Sequence, residues 1–202
     1  RVRIQGVERF RARGAQGLKG FIRGGEGYIS CDAARFGSDK AVIIRWEGMR
    51  VAEVKTYDVS STTDIETAIK VMCESHNIPR SRVVVDEDGV GGGIVDHLKC
   101  IGFVNNSRAV NGNYQNLRSE CYFKLAEAVN EGLLFIADDR YKEQMIAELE
   151  VLKRDKIDSD NKLSVVPKAM LKDLLGHSPD FSDALMMRMI FEVRPQRRII
   201  RA

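Results

Sequence analysis

The sequence predicts an α/β fold: a mixed sheet, with a three-strand antiparallel meander at one edge and parallel strands added to it, flanked by helices. Three observations lead there. Two strand–turn–strand patterns follow one another directly between Tyr28 and Val59. A short β-branched run, Val83-Val84-Val85, then passes through a glycine cluster into a helix, as a strand buried on both faces does. Beyond Leu117 the apolar spacing is mainly helical.

Taken in order, residues 1–26 are rich in Arg and Gly with little periodicity and read as a basic lead-in or linker. Tyr28 to Cys31 reads as the first strand, Asp32 to Asp39 as a turn, and Lys40 to Trp46 as the second strand. Glu47-Gly48-Met49-Arg50 makes the next tight turn before a third strand, Val51 to Val59. Ser60 to Asp64 supplies helix caps ahead of Ile65, Ile69, Val71 and Met72, an amphipathic helix ending near His76-Asn77. Pro79 breaks the chain before the Val83 strand, and Gly89 to Gly93 turns that strand into a helix from Ile94 towards Cys100. A strand near Phe103-Val104 or Arg108 to Val110 follows, then the polar stretch Asn111 to Gln115. Helices are expected over Leu117 to Glu131 and Arg140 to Leu152, with a charged hairpin-like segment from Lys153 to Pro167. The last helix opens at Ser178-Pro179 and runs to Val193. The expected layout is one domain over residues 27–193, preceded by the lead-in 1–26 and followed by a basic tail, 194–202.

Composition narrows the function classes. With 44% hydrophobic and 30% charged residues the chain can bury a core, yet its longest apolar runs, such as Gly132 to Ala137, are too short to span a bilayer. The opening Arg1-Val2-Arg3-Ile4 is not an apolar leader, so a cytosolic site of action is expected. Four cysteines without a C-x-x-C pair, and 3 histidines, argue against a zinc site. A net charge of +3 permits nucleic-acid binding without establishing it.

Three acids stand where a fold avoids unpaired charge. Asp32 ends an apolar strand, Asp86 follows the buried Val83–Val85 run, and Asp183 lies in the last helix among Met186, Met187 and Ile190. Groups at the carboxyl ends of adjacent parallel strands converge on one crevice. Asp32 and Asp86 meet there if their strands are neighbours, and a helix across that edge can add Asp183. Clustered carboxylates repel unless a cation neutralises them. Oxygen ligands without His or Cys suit Mg²⁺ or Mn²⁺, and two such ions about 3.5–4 Å apart can hydrolyse a phosphodiester. Taken singly, Asp32 also reads as a turn cap and Asp86 as a strand-end acid. Asp180, in the first turn of its helix, is explained by the helix dipole alone.

These segments resemble the three acidic motifs of bacteriophage terminase large-subunit nucleases, an RNase H-like family. Asp32-Ala33-Ala34-Arg35-Phe36-Gly37-Ser38-Asp39 is similar to the first motif and Val83 to Gly93, with Asp86-Glu87-Asp88, to the second. Gly176-His177-Ser178-Pro179-Asp180-Phe181-Ser182-Asp183-Ala184-Leu185 is similar to the third. Asn113 to Arg118, before the long helix, and Lys168 also fit, so the likeness covers residues 27–193. It implies an RNase H-like fold and a metal-dependent endonuclease that cuts concatemeric double-stranded viral DNA during genome packaging. Asp32, Asp86 and Asp183 are then the catalytic metal ligands, with Asp39 and Asp180 auxiliary, and Asp88 remains an alternative to Asp86. The implied cofactors are two divalent ions, Mg²⁺ or Mn²⁺. The implied partners are duplex DNA, a terminase ATPase domain, the small terminase subunit and the portal, in the host-cell cytoplasm.

Gly89 to Gly93 lacks the Gly-Lys-Ser/Thr ending of a P-loop, so it reads as a tight turn permitting close approach. Arg35, Lys40, Arg118 and Lys168 are the candidate contacts to DNA phosphates, with Lys153 and Arg154 behind them. Trp46 and the five Tyr form no stacking platform for single strands. Other readings stand beside this one: another nuclease of the same fold such as a Holliday-junction resolvase, or a non-catalytic DNA-binding module of a packaging motor. A sugar-kinase or actin-like phosphotransfer domain needs a duplicated domain, for which the chain is too short.

Overall fold

The computed structural model describes residues 25–34, 40–155 and 161–194. The expected lead-in and the basic tail beyond Arg194 therefore lie outside the described residues, as do Arg35 and Asp39.

Six strands form one mixed sheet. The meander is β1 (Gly27–Asp32), β2 (Ala41–Glu47) and β3 (Arg50–Tyr57), antiparallel throughout. β4 (Val83–Asp86) pairs parallel to β1, and β5 (Ile101–Phe103) parallel to β4. The spatial order is β5-β4-β1-β2-β3-β6. The sixth strand, β6 (Phe135–Ile136), lies parallel to β3 and was not anticipated, since two residues carry no readable alternation. Of the two positions expected for the strand after the glycine turn, the sheet uses the one ending at Phe103.

Helices cover both faces. On one, α1 (Thr62–Ser75) and α2 (Gly91–Leu98) bury Ile65, Ile69, Ile94 and Leu98 against Ile29, Cys31, Ile43, Val83 and Val85. On the other, α3 (Leu117–Asn130), α4 (Lys142–Val151), α5 (Lys168–Leu175), α6 (Asp180–Met187) and α7 (Ile190–Val193) pack on Val42, Ile44, Trp46 and Val84. Such a sandwiched sheet explains why β2 and β4 are apolar almost throughout. The caps act as the residue types require: Ser61 and Asp64 exchange bonds as a capping box on α1, and Asn116 accepts from Ser119 N at the start of α3.

Two helical expectations change. The last helix divides: α6 stops at Met187, and Arg188 turns inward, stacking over the Tyr28 ring at 3.9 Å and donating to the Gly48 carbonyl. α5 was not anticipated, although Pro167 before it and Gly176 after it, in the left-handed region at φ 77, are ordinary helix boundaries.

The glycine turn is a packing device. A Cβ on Gly91 would overlap the Asp86 carbonyl oxygen and crowd Val85, so the α2 N-terminus can sit on the β4 tip only as glycine. Gly93, two residues on, faces open space. Gly91→Ala is expected to cost about 1–3 kcal/mol through overpacking. Gly93→Ala should instead be neutral or stabilise by up to about 1 kcal/mol. Urea unfolding of the two variants checks this, and equal effects would contradict the close-approach reading.

Candidate metal centre

Parity of the two parallel strands sets the site. Ile29 and Cys31 of β1, like Val83 and Val85 of β4, point to the α1–α2 face. Asp32 and Asp86 therefore fall on the opposite face, one residue beyond the registered pair Cys31 and Val85. That is the face on which α6 packs against β1, β2 and β4. Every residue of α6 is buried, and the helix brings Asp183 to the strand tips. Asp32 and Asp183 are each 5% exposed, too little for an unpaired charge.

The neutralising group shared by Asp32 and Asp183 is Lys168, the first residue of α5, with the Arg118 Nε also 3.9 Å from Asp183 Oδ1. Its Nζ lies 2.7 Å from Asp183 Oδ2 and 3.7 Å from Asp32 Oδ2, while its stem remains half-exposed. Burial would lower the Lys168 pKa, but Asp32 and Asp183 outweigh it and hold the ammonium firmly charged. Burial likewise pushes Asp32 well above the usual carboxylate range; Lys168 pulls it back, and Asp183, Asp86 and Asp180 push it further up. Asp86 is pushed up to about 6, first by burial, with the Asp88 N–H and Lys168 opposing and Asp88 and Asp183 adding to the rise.

Asp88, the alternative second ligand, is engaged in the turn: its Oδ2 accepts from the backbone and side-chain nitrogens of Asn105, both at 2.9 Å. Asp86 Oδ1 accepts from Asp88 N at 3.1 Å and from Asn105 Nδ2 at 3.4 Å, and the Asp86 carboxyl is near enough to Lys168 and Asp183 to be influenced by their charges. Asp180 does more than favour a helix dipole. Its Oδ2 accepts from Lys40 N at 2.8 Å, tying α6 to the start of β2. The Lys40 ammonium pairs with Asp58 at 2.9 Å, and both side chains are exposed. Arg118, expected on the DNA-facing surface, is 8% exposed and donates inward to the Val166 carbonyl at 3.2 Å.

Two contributors were missed. Tyr122, fully buried on α3, donates to Asp183 Oδ1 at 2.6 Å and lies 3.1 Å from Ser182 Oγ. Burial and the Asp183 charge hold its phenol well above the usual range, so it stays a donor. Glu148, 1% exposed on α4, accepts from Ser182 N at 2.7 Å and from Phe181 N. No residue of its own segment caps α6 through a side chain; Glu148 reaches across from another helix to do so. Burial pushes Glu148 up to about 8, with the Ser182 N–H opposing and Asp180 and Asp183 adding to the rise. The signal for Glu148 was legible: with Met145, Leu149 and Leu152 it occupies an apolar stripe at helical spacing, where a carboxylate needs a partner.

Among the described residues no three His, Cys, Asp or Glu side chains are already drawn into a metal cage. The donor chemistry nonetheless fits a hard cation. Asp32 and Asp183 share one ammonium, and Asp86 stands beside them with its charge disfavoured by burial. As donors they would offer carboxylate oxygens without His or Cys, the chemistry that Mg²⁺ and Mn²⁺ prefer.

No family model and no curated protein matches the chain. Solved structures do. The chain is similar to the nuclease domain of the large terminase subunit gp2 of bacterial virus Sf6, with TM-score 0.75 and 22% identity over 93% of this chain and 98% of that one. A lysine-to-alanine variant of that domain with manganese aligns at TM-score 0.70 and 20% identity, covering 84% and 90% of the two chains. The large terminase nuclease from thermophilic phage G20c with bound magnesium aligns at TM-score 0.59 and 14% identity, covering 81% and 79%. At these identities the likeness is one of fold: the chain has the RNase H-like fold of large terminase nuclease domains.

The acids make a pH prediction. Asp86 and Glu148 hold protons in the folded state that the unfolded chain has already released, between ordinary carboxylate pKa values and about 6 and 8 respectively. The folded state therefore binds more protons in that window, and stability falls as pH rises through it. Melting in chelator should show Tm decreasing from about pH 5 to 8. Glu148→Gln, which keeps an accepting oxygen, should flatten the upper part of that slope. An unchanged slope in the Gln variant would mean that Glu148 is ionised throughout.

Proposed function

We propose that this chain, which carries the large terminase nuclease fold, is a Mg²⁺- or Mn²⁺-dependent DNA endonuclease domain that cuts double-stranded viral DNA during genome packaging. One observation carries the reading: Asp32 and Asp86 sit on neighbouring strand tips, and Asp183 arrives on a buried helix to share one lysine with Asp32. A structural ion-pair network would match acids to cations, whereas Asp32, Asp86 and Asp183 outnumber the Lys168 and Arg118 beside them. Buried carboxylates in excess of the local positive charge are arranged to receive more of it.

Asp32, Asp86 and Asp183 would hold the ions. Two divalent ions, when bound, activate a water and stabilise the leaving oxygen of a phosphodiester. The protein's own part is positional. The β1 and β4 tips set two acids from rigid strands, α6 sets the third, Glu148 and Asp180 fix α6 at its N-terminus, and Lys168 supplies charge until the ions arrive. Asp39 belongs to the proposal as an auxiliary acid and Arg35 as a phosphate contact. The exposed Lys40 ammonium adds positive charge at the rim, and the Lys168 ammonium adds it beside Asp183 and Asp32. Contacts of that kind grip phosphate without reading bases, so the substrate is duplex DNA of any sequence. An ATPase domain, a small terminase subunit and a portal as partners, in the host-cell cytoplasm, complete the reading.

Plasmid cleavage tests it. Nicking and linearisation should require Mg²⁺ or Mn²⁺, stop in EDTA, and weaken steeply with salt. Undiminished cutting in chelator would remove the metal mechanism, and a strong preference for branched DNA would favour a junction resolvase. Among variants, Asp183→Asn should abolish cleavage while folding normally, because it removes a ligand charge and keeps the shape. Asp180→Asn should lower it by about 10-fold, since the amide oxygen still accepts from Lys40 N and the residue acts from behind the ligands. The reverse ranking would exchange the two assignments.

A further inference from the structure

Asp183 is held on both sides, and by groups of different kinds. Oδ2 meets the Lys168 ammonium, whose stem is open to solvent. Oδ1 meets the Tyr122 hydroxyl at 2.6 Å, inside the core. A phenol has one proton. At that distance the carboxylate takes it; the Ser182 hydroxyl lies 3.1 Å from both the Tyr122 oxygen and the Pro179 carbonyl, so its single proton is divided between those two acceptors. The Tyr122 ring is backed by the Arg118 guanidinium, whose carbon lies 4.9 Å from the ring centroid and whose Nε is 3.9 Å from the same Oδ1. Arg118 is itself tied to the Val166 carbonyl, and its Nε and Nη2 have no hydrogen-bond partner. Its charge is therefore available to Asp183 whether or not Lys168 is in place.

We infer that Tyr122, backed by Arg118, is a positioning residue that commits Asp183 Oδ1 to the protein interior and presents Oδ2 alone to the cation site. The inference rests on the proposed metal-dependent activity and says which oxygen of the third acid serves it. Three consequences follow from the geometry. The carboxylate cannot rotate without breaking a buried charge-assisted bond. Lys168 and an incoming ion compete for the same oxygen. Loss of Lys168 from the site leaves Asp183 still oriented, because its other oxygen is held from α3.

The test is Tyr122→Phe in the whole chain, which keeps ring and volume and removes one hydroxyl. Mn²⁺ affinity is read by calorimetry and by the electron paramagnetic resonance signal of free Mn²⁺, and plasmid nicking is followed across Mn²⁺ concentrations. Partners behind a metal ligand typically change affinity or activity by about 10–100-fold, and a weakening of that size is expected here. Nicking should need correspondingly more Mn²⁺, with the KM for DNA little changed. Ser182→Ala is the structural control: it removes Tyr122's other partner, together with the Ser182 bond to the Pro179 carbonyl, and leaves the Asp183 bond, so Mn²⁺ affinity should stay within about twofold. Parent affinity in Tyr122→Phe, or equal loss in both variants, overturns the inference while leaving the nuclease reading intact. A parent that binds Mn²⁺ but cuts no DNA overturns the nuclease reading, and the affinity difference still decides Tyr122. A parent that binds no Mn²⁺ overturns both.

Discussion

The contact between Lys168 and Asp183 is a local answer to a problem that organises this whole end of the molecule. Asp32, Asp180, Asp183 and Glu148 are all buried near the carboxyl ends of the inner strands β1 and β4 or in the helices packed there. Leaving carboxylates out of water costs several kcal/mol each unless charge or hydrogen bonds offset it. Each acid here has its own compensation. Lys168 serves Asp32 and Asp183, the Lys40 N–H serves Asp180, the Ser182 and Phe181 N–H groups serve Glu148, and the Tyr122 hydroxyl serves Asp183. These groups come from the residue just before β2, from α3 and α5, and from α6 itself. That is why helices distant in sequence must pack together before the strand tips are electrostatically tolerable.

The compensations differ in permanence, and that difference separates scaffold from working part. Tyr122, Glu148 and the backbone donors are buried and cannot leave without unfolding something. Lys168 is half-exposed and enters from the first residue of α5, next to Pro167. A cation at a helix N-terminus works against the helix dipole, so nothing in α5 favours a lysine there. Only its attraction to Asp32 and Asp183 holds it. A group with one strong local interaction and free access to water is one that a competing cation can displace.

Much of the fold was legible because its signals are local. The Glu47 to Arg50 turn, the Val83–Val85 run and the Ser61 cap each act within a few residues, and the structure uses them as read, whereas the helix expected from Ile94 already begins at Gly91. Asp32 and Asp86 were legible as strand-end acids, and Asp183 as a charge on an apolar helix face. What escaped was long-range. The β6 pairing depends on β3, where Arg50 faces Phe135, Val51 faces Ile136 and Phe135 N meets the Met49 carbonyl, partners far apart in the chain. Tyr122 and Glu148 act on residues 61 and 34 positions distant. Arg118 was placed on the surface because an arginine near a motif suggests phosphate; its burial follows from lying in the first turn of α3, between Leu117 and Cys121, both buried.

One register decides whether the acidic cluster exists. A slip of a single residue in β1 would send Asp32 to the α1–α2 face and Cys31 to the acidic one. The flanking apolar residues resist it only weakly, because both faces are buried and both accept hydrophobes. Ser30 resists it strongly. It is fully buried two residues before Asp32, on the same face, and its Oγ accepts from Trp46 Nε1 at 2.9 Å across β2. In the slipped register the indole N–H and the serine hydroxyl would both be stranded in apolar surroundings, at about 1–3 kcal/mol apiece. A polar pair with no part in the chemistry thus holds the parity on which the acidic cluster depends.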